Sequence, residues 1–250
     1  EGRTADQWVE VLYEIFRAEN DWAPNFEQFR EAGYLRHPEM SEMGENEQVF
    51  LAEYRDDPTV HPLGTPSGRI ELWSETIAEF DYDDCPPHPT WMEPFERLGG
   101  EGSERWPLHL VSNQPTVRLH SQYDHTEPSQ GAKVAGREPI RIHPQIAEER
   151  GISDGDVVRV YNDRGSCLAG ALIDDSLMPE VVQLSTGAWY DPDADGMCRA
   201  GNPNVLTRDK GTSQLAQGPS AHTCLVEIER FEGPAPRVES YDPPLFAVDR

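Results

Sequence analysis

The 250-residue chain is long enough to bury one large core or two modest ones. It carries 21 Lys and Arg against 46 Asp and Glu, and the first 104 residues alone carry 7 basic against 25 acidic side chains. This acidic first part argues against nucleic-acid binding, which needs a cationic face. A mean hydropathy of -0.68, without any apolar run of membrane-spanning length, excludes a membrane span from the sequence.

The chain opens on a pattern that predicts an amphipathic helix. Thr4 and Gln7 have the spacing of a capping box, in which each side chain satisfies a free backbone N–H of the first turn. Trp8, Leu12 and Ile15 follow at helical spacing. We therefore expect a helix that buries these three side chains along one face.

A second helix and an irregular stretch follow before the character of the chain changes. Asn25 and Gln28 repeat the capping pattern, and Gly33 is placed to end the helix. Residues 69–74, "RIELWS", are typical of a strand, whereas the proline-rich residues 81–106 are typical of a linker. We place a domain boundary near residue 104, with a mostly helical or irregular part over 1–104 and a separate domain over 105–250.

Short strands separated by turns dominate the chain from residue 105 onward. The predicted strands lie at 107–112, 139–143, 156–162, 166–173, 181–185 and 223–229. Strands this short, in a stretch of this length, favour a closed or nearly closed β-barrel. The predicted fold class is therefore mainly β.

One stretch inside this region predicts its own local structure in detail. A short helix after Pro144 is stopped by Gly151, and Ile152 can return to the core. Residues 162–165, "NDRG", close a hairpin in which Gly165 is available for a positive φ. This stretch indicates a unit from which a barrel is built.

Three loops rich in amides and hydroxyls connect the predicted strands, at 112–123, 185–192 and 201–218. Loops this long in a compact domain are usually functional or disordered, and their embedded aromatic and aliphatic residues argue against disorder. Asn, Gln and Ser can match the donors and acceptors of a pterin or purine edge, while Arg can hold a diphosphate. The loops therefore predict a site for a nucleotide-like ligand.

Each candidate residue also has a purely structural interpretation. Asp191 could accept the two adjacent N–H groups of guanine, but Asp191, Asn202 and Asn204 adjoin Pro or Gly and are equally typical of turns. Trp189 is more often a core or interface residue, and His120 could be a satisfied buried histidine. Residues 85–88 contain half of a zinc pattern without a second close pair, so we do not predict zinc.

Five segments resemble, in this order, the C-terminal cofactor-binding domain of the dimethyl sulfoxide reductase family of molybdenum enzymes. They read "SNQPTVRLHSQ", "REPIRIHP", "GISDGDVVRVYNDRG", "STGAWYDP" and "GNPNVLTRDKGTSQLAQGPSAHT". The upstream residues 61–94 resemble the stretch that leads into that domain. Within the family, the sequence resembles most the branch of biotin sulfoxide reductases, with trimethylamine N-oxide and dimethyl sulfoxide reductases as near neighbours.

The resemblance implies a double-psi β-barrel and a bis(molybdopterin guanine dinucleotide) molybdenum cofactor. It implies reduction of an S-oxide or N-oxide, such as biotin or methionine sulfoxide, by oxygen-atom transfer. The residues that it places against the cofactor are Ser112, Gln114, Arg118, His120, Ser121, Gln122, Trp189, Tyr190, Asp191, Asn202, Asn204 and Gln217.

The resemblance also implies that the molybdenum ligand, a serine, lies outside this chain. We therefore expect the C-terminal part of a longer enzyme that is inactive alone and needs its missing N-terminal domains. We assign no catalytic residue and no metal ligand here. The electron donor is unknown, and we expect a cytoplasmic location, with a periplasmic location as the alternative.

Two other hypotheses remain open at the level of sequence. The barrel could be a non-catalytic binding or interaction module, which would have no nucleotide affinity. Alternatively, the bond between Gly165 and Ser166 could be a self-processing site that yields a pyruvoyl group, as in a decarboxylase with a related barrel. Gly and Ser are also ordinary residues of a hairpin at this position.

Overall fold

The computed structural model describes residues 2–38 and 49–242. The chain divides into two compact units, residues 1–72 and 73–250. The boundary near residue 104 was placed where strands begin, and the first strand does begin shortly after it, at Leu108. As a division between family domains, that boundary stays a prediction. No helix of the described residues is both long and apolar enough to cross a membrane.

The first unit contains helices α1 (Ala5–Glu19), α2 (Phe26–Ala32) and α3 (Ala52–Asp56). Both predicted capping boxes are present, and Gly33 ends α2 with a φ of 72°. The predicted buried face of α1 is wrong. Tyr13 is the buried residue and stacks on Phe29 at 4.4 Å between ring centroids, whereas the predicted face is exposed. That exposed face consists of Trp8, Leu12 and Ile15.

The sequence predicted poorly the residues just before and at the start of the second unit. Residues 69–74 form no strand, and α4 (Glu75–Phe80) follows directly, capped by the Ser74 hydroxyl. Because the predicted strand finds no partner strand, its backbone forms bends and the Ser74 N–H donates instead to the Pro87 carbonyl. This hydrogen bond joins the residue before α4 to the proline-rich stretch that follows the helix.

The stretch at 81–106 forms no helix or strand, but it is not a free linker. Glu96 binds the Arg164 guanidinium with both carboxylate oxygens and accepts the Leu225 N–H at 2.7 Å. Trp106 packs edge-on against Tyr161. These contacts fasten the stretch to the strands that follow it.

Six strands of the described residues form a closed barrel in the order β1-β5-β2-β4-β3-β6. The strands are β1 (Leu108–Val111), β2 (Pro139–Ile142), β3 (Val157–Tyr161), β4 (Ser166–Ile173), β5 (Val181–Leu184) and β6 (Leu225–Arg230). Two neighbouring pairs, β1 with β5 and β2 with β4, are parallel, and the other pairs are antiparallel. All six predicted strands and the barrel are confirmed, while the double-psi crossing pattern stays a prediction.

Inward-facing aliphatic side chains fill the barrel. Alternation along β1, β3 and β5 sends every second residue inside, and Leu110, Val160 and Leu184 are fully buried. Three cysteines, Cys167, Cys198 and Cys224, belong to the same core as free thiols. Burial raises the pKa of Cys224 to about 11, so this thiol is protonated at neutral pH.

Short helices and turns link the strands. Helix α5 (Glu127–Gly131) precedes β2, α6 (Pro144–Glu149) follows it, and a 3-10 turn (Pro203–Val205) precedes β6. The predicted return after α6 is confirmed, since Gly151 has a φ of 61° and Ile152 is buried. Gly165 has no positive φ. Glycine is required at this position for another reason, because a Cβ there would lie 2.7 Å from the Val205 carbonyl oxygen.

Candidate functional site

The first two predicted loops converge beside the barrel. The backbone of Gly187 lies directly against the carbonyl of His120, and the Trp189 indole donates to the Ser121 carbonyl at 2.8 Å. The Arg118 guanidinium donates to the Thr186 carbonyl at 2.9 Å. Residues 112–123 and 185–192 therefore form one surface, which we call the loop platform.

The first loop turns sharply where it meets the second. His120 and Tyr123 have left-handed φ values of 50° and 63°, which non-glycine residues rarely adopt. Leu119 and Gln122 pair across this turn, and Gln114 contacts the His120 ring nitrogen Nδ1 at 3.1 Å. The turn exposes the side chains of 120–123 instead of burying them.

Four buried charged side chains lie under the platform. Lys133 Nζ lies 2.7 Å from Asp124 Oδ1 and 2.6 Å from Glu138 Oε2, and Arg118 lies 3.3 and 3.0 Å from the same two oxygens. All four side chains are at most 2% exposed. We call this group, with two positive and two negative charges, the charge cluster.

Asp124 has further partners outside the charge cluster. It accepts from the Ser129 hydroxyl, the Trp189 backbone N–H and the Tyr241 hydroxyl, as well as from Lys133. Burial alone would raise the pKa of Asp124, but the Lys133 ammonium and the hydrogen bonds outweigh burial and hold that pKa below its usual value. Asp124 is therefore an ionised anchor for the second loop.

Arg118 already has partners inside the chain, and its predicted contact with the cofactor stays a prediction. Its guanidinium binds the carbonyls of His120 and Thr186 and pairs with Asp124 and Glu138, all inside the chain. A phosphate contact would have to break into this network. Arg118 thus joins the two loops of the platform and positions them.

Several predicted residues remain available to a ligand on the platform. Within the described residues, the side chains of Ser112, Ser121, Gln122 and Tyr190 form no hydrogen bond. Tyr190 is 55% exposed and Gln122 is exposed as well. Their hydroxyl and amide groups can both donate and accept, so they fit the edge of a heterocycle.

Asp191 is buried and fully engaged. Its Oδ1 accepts from Arg199 at 2.7 Å and its Oδ2 from the Glu239 N–H at 2.9 Å. A role as guanine acceptor, which the sequence suggested, would require these bonds to break. In this structure Asp191 anchors residues 236–242 against the second loop.

The third predicted loop joins the site only at its beginning. The Glu138 N–H donates to the Ala200 carbonyl at 3.0 Å, which brings this end of the loop beside the charge cluster. The Asn202 side chain accepts from the Asn204 N–H, and the Gln217 side chain donates to the Ser213 carbonyl. These contacts match the structural interpretation of Asn202 as a turn residue and place Gln217 in a turn of its own, while the side chain of Asn204 is exposed.

A cleft of about 560 Å³ adjoins the platform on the outer face of β2, β4 and β5. Asn113, Arg141, Ser176, Gln183 and Ser185 supply polar groups to its walls. Arg118 is the member of the predicted set that lines it, whereas Trp189 and Asn204 lie outside this cleft.

The described residues contain no group of three His, Cys, Asp or Glu side chains that could hold a metal ion. What the platform offers instead is a set of uncharged donors and acceptors above a neutral charge cluster. This chemistry fits the organic part of a pterin nucleotide. The Gly165–Ser166 bond lies in the β3–β4 hairpin, where Ser166 pairs with Tyr161.

Sequence reasoning missed the residues that build the site from below. These are Asp124, Lys133, Glu138, Gly187, Arg199 and Tyr241. A charged residue beside the start of an apolar strand, such as Glu138 before "PIRI", was the available signal for a buried ion pair. The others are separated too widely along the chain for any local pattern to join them.

Comparison with known proteins gives this arrangement a context. The family model described as Molydopterin dinucleotide binding domain matches residues 108–225. A trimethylamine-N-oxide reductase of Salmonella typhi is 50% identical over 90% of this chain and 27% of its own length. A dimethyl sulfoxide/trimethylamine N-oxide reductase of Cereibacter sphaeroides is 46% identical over 99% of this chain and 30% of its own length.

The chain thus spans less than a third of the length of these relatives. Among solved structures, acetylene hydratase from Pelobacter acetylenicus matches with a TM-score of 0.55, covering 68% of this chain and 24% of that chain. At 19% sequence identity this match supports the fold alone.

Proposed function

Because the chain belongs to the dimethyl sulfoxide reductase family of molybdenum enzymes, as a C-terminal part carrying the molybdopterin dinucleotide-binding domain, we propose that its loop platform binds the nucleotide of that cofactor. In the whole enzyme the cofactor would supply oxygen-atom transfer that reduces an N-oxide or S-oxide. This chain would bind and orient the cofactor.

The observation that carries the proposal is the convergence of two distant loops on one surface. Residues 120 and 187 are in backbone contact, and the exposed side chains of Gln122 and Tyr190, on the joined loops, have no hydrogen-bond partner within the part of the chain that the structure describes. The donors and acceptors of this surface are available to a ligand, and a buried ion network holds the surface in place. Such a surface is preorganised for a polar ligand.

The finer form of the cofactor is part of the proposal. A bis(molybdopterin guanine dinucleotide) molybdenum cofactor is expected from the sequence resemblance. The amide of Gln122 and the hydroxyl of Tyr190 are the available groups that suit a guanine edge, because each can accept its N–H donors. The remaining contacts and the metal ligand would come from parts of the enzyme outside this chain.

The class of substrate rests on the relatives. Those compared above are named for trimethylamine N-oxide and dimethyl sulfoxide, so we propose a small N-oxide or S-oxide. The expected preference for biotin or methionine sulfoxide has no support from these relatives. Because these relatives are reductases, a non-catalytic binding module is not favoured. The cytoplasmic location stays a prediction, and the electron donor is unassigned.

Calorimetric titration of the 250-residue chain with GMP tests the proposal. We expect saturable binding that Gln122→Ala weakens by about three- to tenfold, the loss typical of one hydrogen bond. Gln145→Ala is the matched control, because Gln145 is also an exposed glutamine but lies on α6. Absence of GMP binding by the folded chain, or equal effects of both substitutions, would refute the proposal.

A further inference from the structure

Residues 236–242 lie against the second loop of the platform, although they form no helix or strand. The Glu239 N–H donates to Asp191 Oδ2 at 2.9 Å. The Tyr241 ring packs against the Trp189 indole at 5.7 Å between ring centroids. We call residues 236–242 the strap, because they contact the second loop at both of these positions.

The strap is itself attached to the barrel and to the segments beside it. Val238 packs against the hydrophobic core, and the Pro236 carbonyl accepts a hydrogen bond from the Arg137 guanidinium. The Glu239 carboxylate pairs with Arg199 at 3.1 Å. These contacts at 236, 238 and 239 determine where the strap places its tyrosine.

A single carboxylate oxygen joins the strap to the second loop. Asp124 Oδ2 accepts from the Tyr241 hydroxyl at 2.9 Å and from the Trp189 backbone N–H at 3.1 Å. The other oxygen, Oδ1, is held by Lys133 at 2.7 Å and by the Ser129 hydroxyl at 2.8 Å. Because a carboxylate oxygen carries two lone pairs, one atom can accept both bonds. The backbone at Trp189 is therefore linked to Tyr241 through Asp124.

The Tyr241 hydroxyl is a permanent donor in this link. Burial raises its pKa, and the negative charge of Asp124 raises that pKa further, so the hydroxyl is protonated at neutral pH. The Lys133 ammonium lies 5.9 Å from the centroid of the same ring, within the range of a cation–π contact. A hydrogen bond to a carboxylate is stronger than one between neutral groups, so the bond adds a directional link to the packing of the ring.

The two contacts of the strap flank an exposed side chain of the platform. Tyr190 is 55% exposed and lies between Trp189 and Asp191, which the strap contacts through Tyr241 and Glu239. Restraining the residues before and after Tyr190 restrains its own backbone. The strap thus acts on the part of the second loop that is available to a ligand.

We propose that Tyr241 is a positioning residue for the nucleotide site of the loop platform. Through Asp124 and Trp189 it holds the backbone from which Tyr190 extends, without touching the ligand itself. This inference rests on the proposed function, in which Tyr190 contacts the nucleotide. A loop that is ordered before binding loses less conformational entropy when the ligand binds, so the strap raises affinity.

Amide hydrogen exchange in the absence of ligand tests the positioning directly. Tyr241→Phe keeps the ring and removes only the hydroxyl, and we expect it to accelerate exchange of the Trp189 amide about three- to tenfold. Exchange in β3 should not change, which shows that the barrel remains folded. Tyr13→Phe is the matched control, because it removes a tyrosine donor to the Pro24 carbonyl in the first unit. It should leave exchange at Trp189 unchanged.

Calorimetric titration of the same variants with GMP measures the effect on binding. We expect Tyr241→Phe to weaken GMP binding about three- to tenfold and Tyr13→Phe to leave it unchanged. A purely structural role for Tyr241 would lower stability without this loss of affinity.

The outcomes separate this inference from the proposed function. Absence of GMP binding by the folded parent chain refutes the proposed function. If the parent chain binds GMP, unchanged exchange at Trp189 or unchanged GMP affinity in Tyr241→Phe overturns the positioning role alone. Faster exchange at Trp189 together with weaker GMP binding, both absent from Tyr13→Phe, supports it.

Discussion

Gly187 and His120 lie 67 positions apart in the chain and yet are in backbone contact. A Cβ on Gly187 would lie less than 3.0 Å from the His120 carbonyl oxygen and 2.9 Å from the Ser121 nitrogen. Gly187 also has a φ of 91°, which side chains disfavour. Two loops that follow parallel strands β1 and β5 thus meet at a point that only glycine fits.

Gly187→Ala should therefore separate the loops of the platform. We expect a loss of unfolding free energy of about 1–2 kcal/mol from the positive φ and of about 1–3 kcal/mol more from the clash. GMP affinity should fall as the loops part. Urea unfolding and calorimetry measure the two effects.

Gly196→Ala is the control that isolates the clash. Gly196 has a similar φ of 86°, but a Cβ there meets no atom within 4 Å. Gly196→Ala should lower the unfolding free energy only by the contribution of the positive φ, and it should leave GMP affinity unchanged. Equal loss of stability in both variants would show that the contact between Gly187 and His120 is unimportant.

Asp124→Asn should leave the charge cluster with one uncompensated positive charge. Breaking a buried ion pair from one side costs about 3–5 kcal/mol. We expect that loss in urea unfolding at neutral pH, and adding Lys133→Met should restore part of it because the cluster becomes neutral again. No recovery in the double variant would contradict the charge argument.

The difference in unfolding free energy between the parent chain and Asp124→Asn should depend on pH in a defined direction. The native pKa of Asp124 lies below its unfolded value of 3.8, so its contribution to stability is complete above that pH and is lost as the pH falls through the native pKa. The difference in unfolding free energy between the parent chain and Asp124→Asn should be constant above pH 3.8 and shrink below it. If this difference in unfolding free energy instead grew on acidification, the native pKa of Asp124 would be raised and not lowered.

Asp191→Ala distinguishes a structural role, in which Asp191 holds residues 236–242 in place, from recognition of the guanine base. We expect faster amide hydrogen exchange over 236–242, since the bonds to Arg199 and Glu239 are lost. The preference for GMP over AMP should not change. Asp193→Ala is the control, because the Asp193 carboxylate accepts hydrogen bonds from the N–H groups of Asp195 and Met197 in its own turn. Loss of the GMP preference without faster exchange would restore the guanine-acceptor hypothesis.

Native alkylation should modify Cys85 alone. Cys167, Cys198 and Cys224 are fully buried, and burial raises the pKa of Cys167 and Cys224, so little reactive thiolate is present at neutral pH. Cys85 is partly exposed. Intact mass should show one added group per chain, and peptide mapping should locate it. Labelling of Cys224 before unfolding would contradict the packed core.

The strands and turns were predictable because their signals are local. Alternation in β1 and β3, the stop at Gly151 and the capping boxes each depend on residues within a few positions of one another. The strand predicted at 69–74 failed because the same local pattern has no neighbouring strand with which to pair. The prediction of which face of α1 is buried failed for a similar reason. Tyr13 packs against Phe26 and Phe29, and helical periodicity does not reveal these partners.

The meeting of the first two loops was predictable, but their contacts were not, and nucleotide binding there stays a prediction. Polar loop composition located the platform, and Gln122 and Tyr190 remain its available side chains. The tasks of Arg118 and Asp191 could not be foreseen, because their partners at 124, 138, 199 and 239 are set by tertiary packing. A sequence pattern shows which chemistry is present but not whether the protein itself already uses it.

Amide chemical-shift mapping of the 250-residue chain during titration with GMP tests the central claim most directly. The loop platform account predicts that the largest shifts cluster at 120–122 and 187–190, on both loops together and with one affinity. Gly187→Ala should abolish that shared response while Gly196→Ala preserves it. Shifts confined to one loop or to the distant walls of the cleft, such as 172–177, or no shifts at all, would contradict the claim that these two loops form a nucleotide-binding surface.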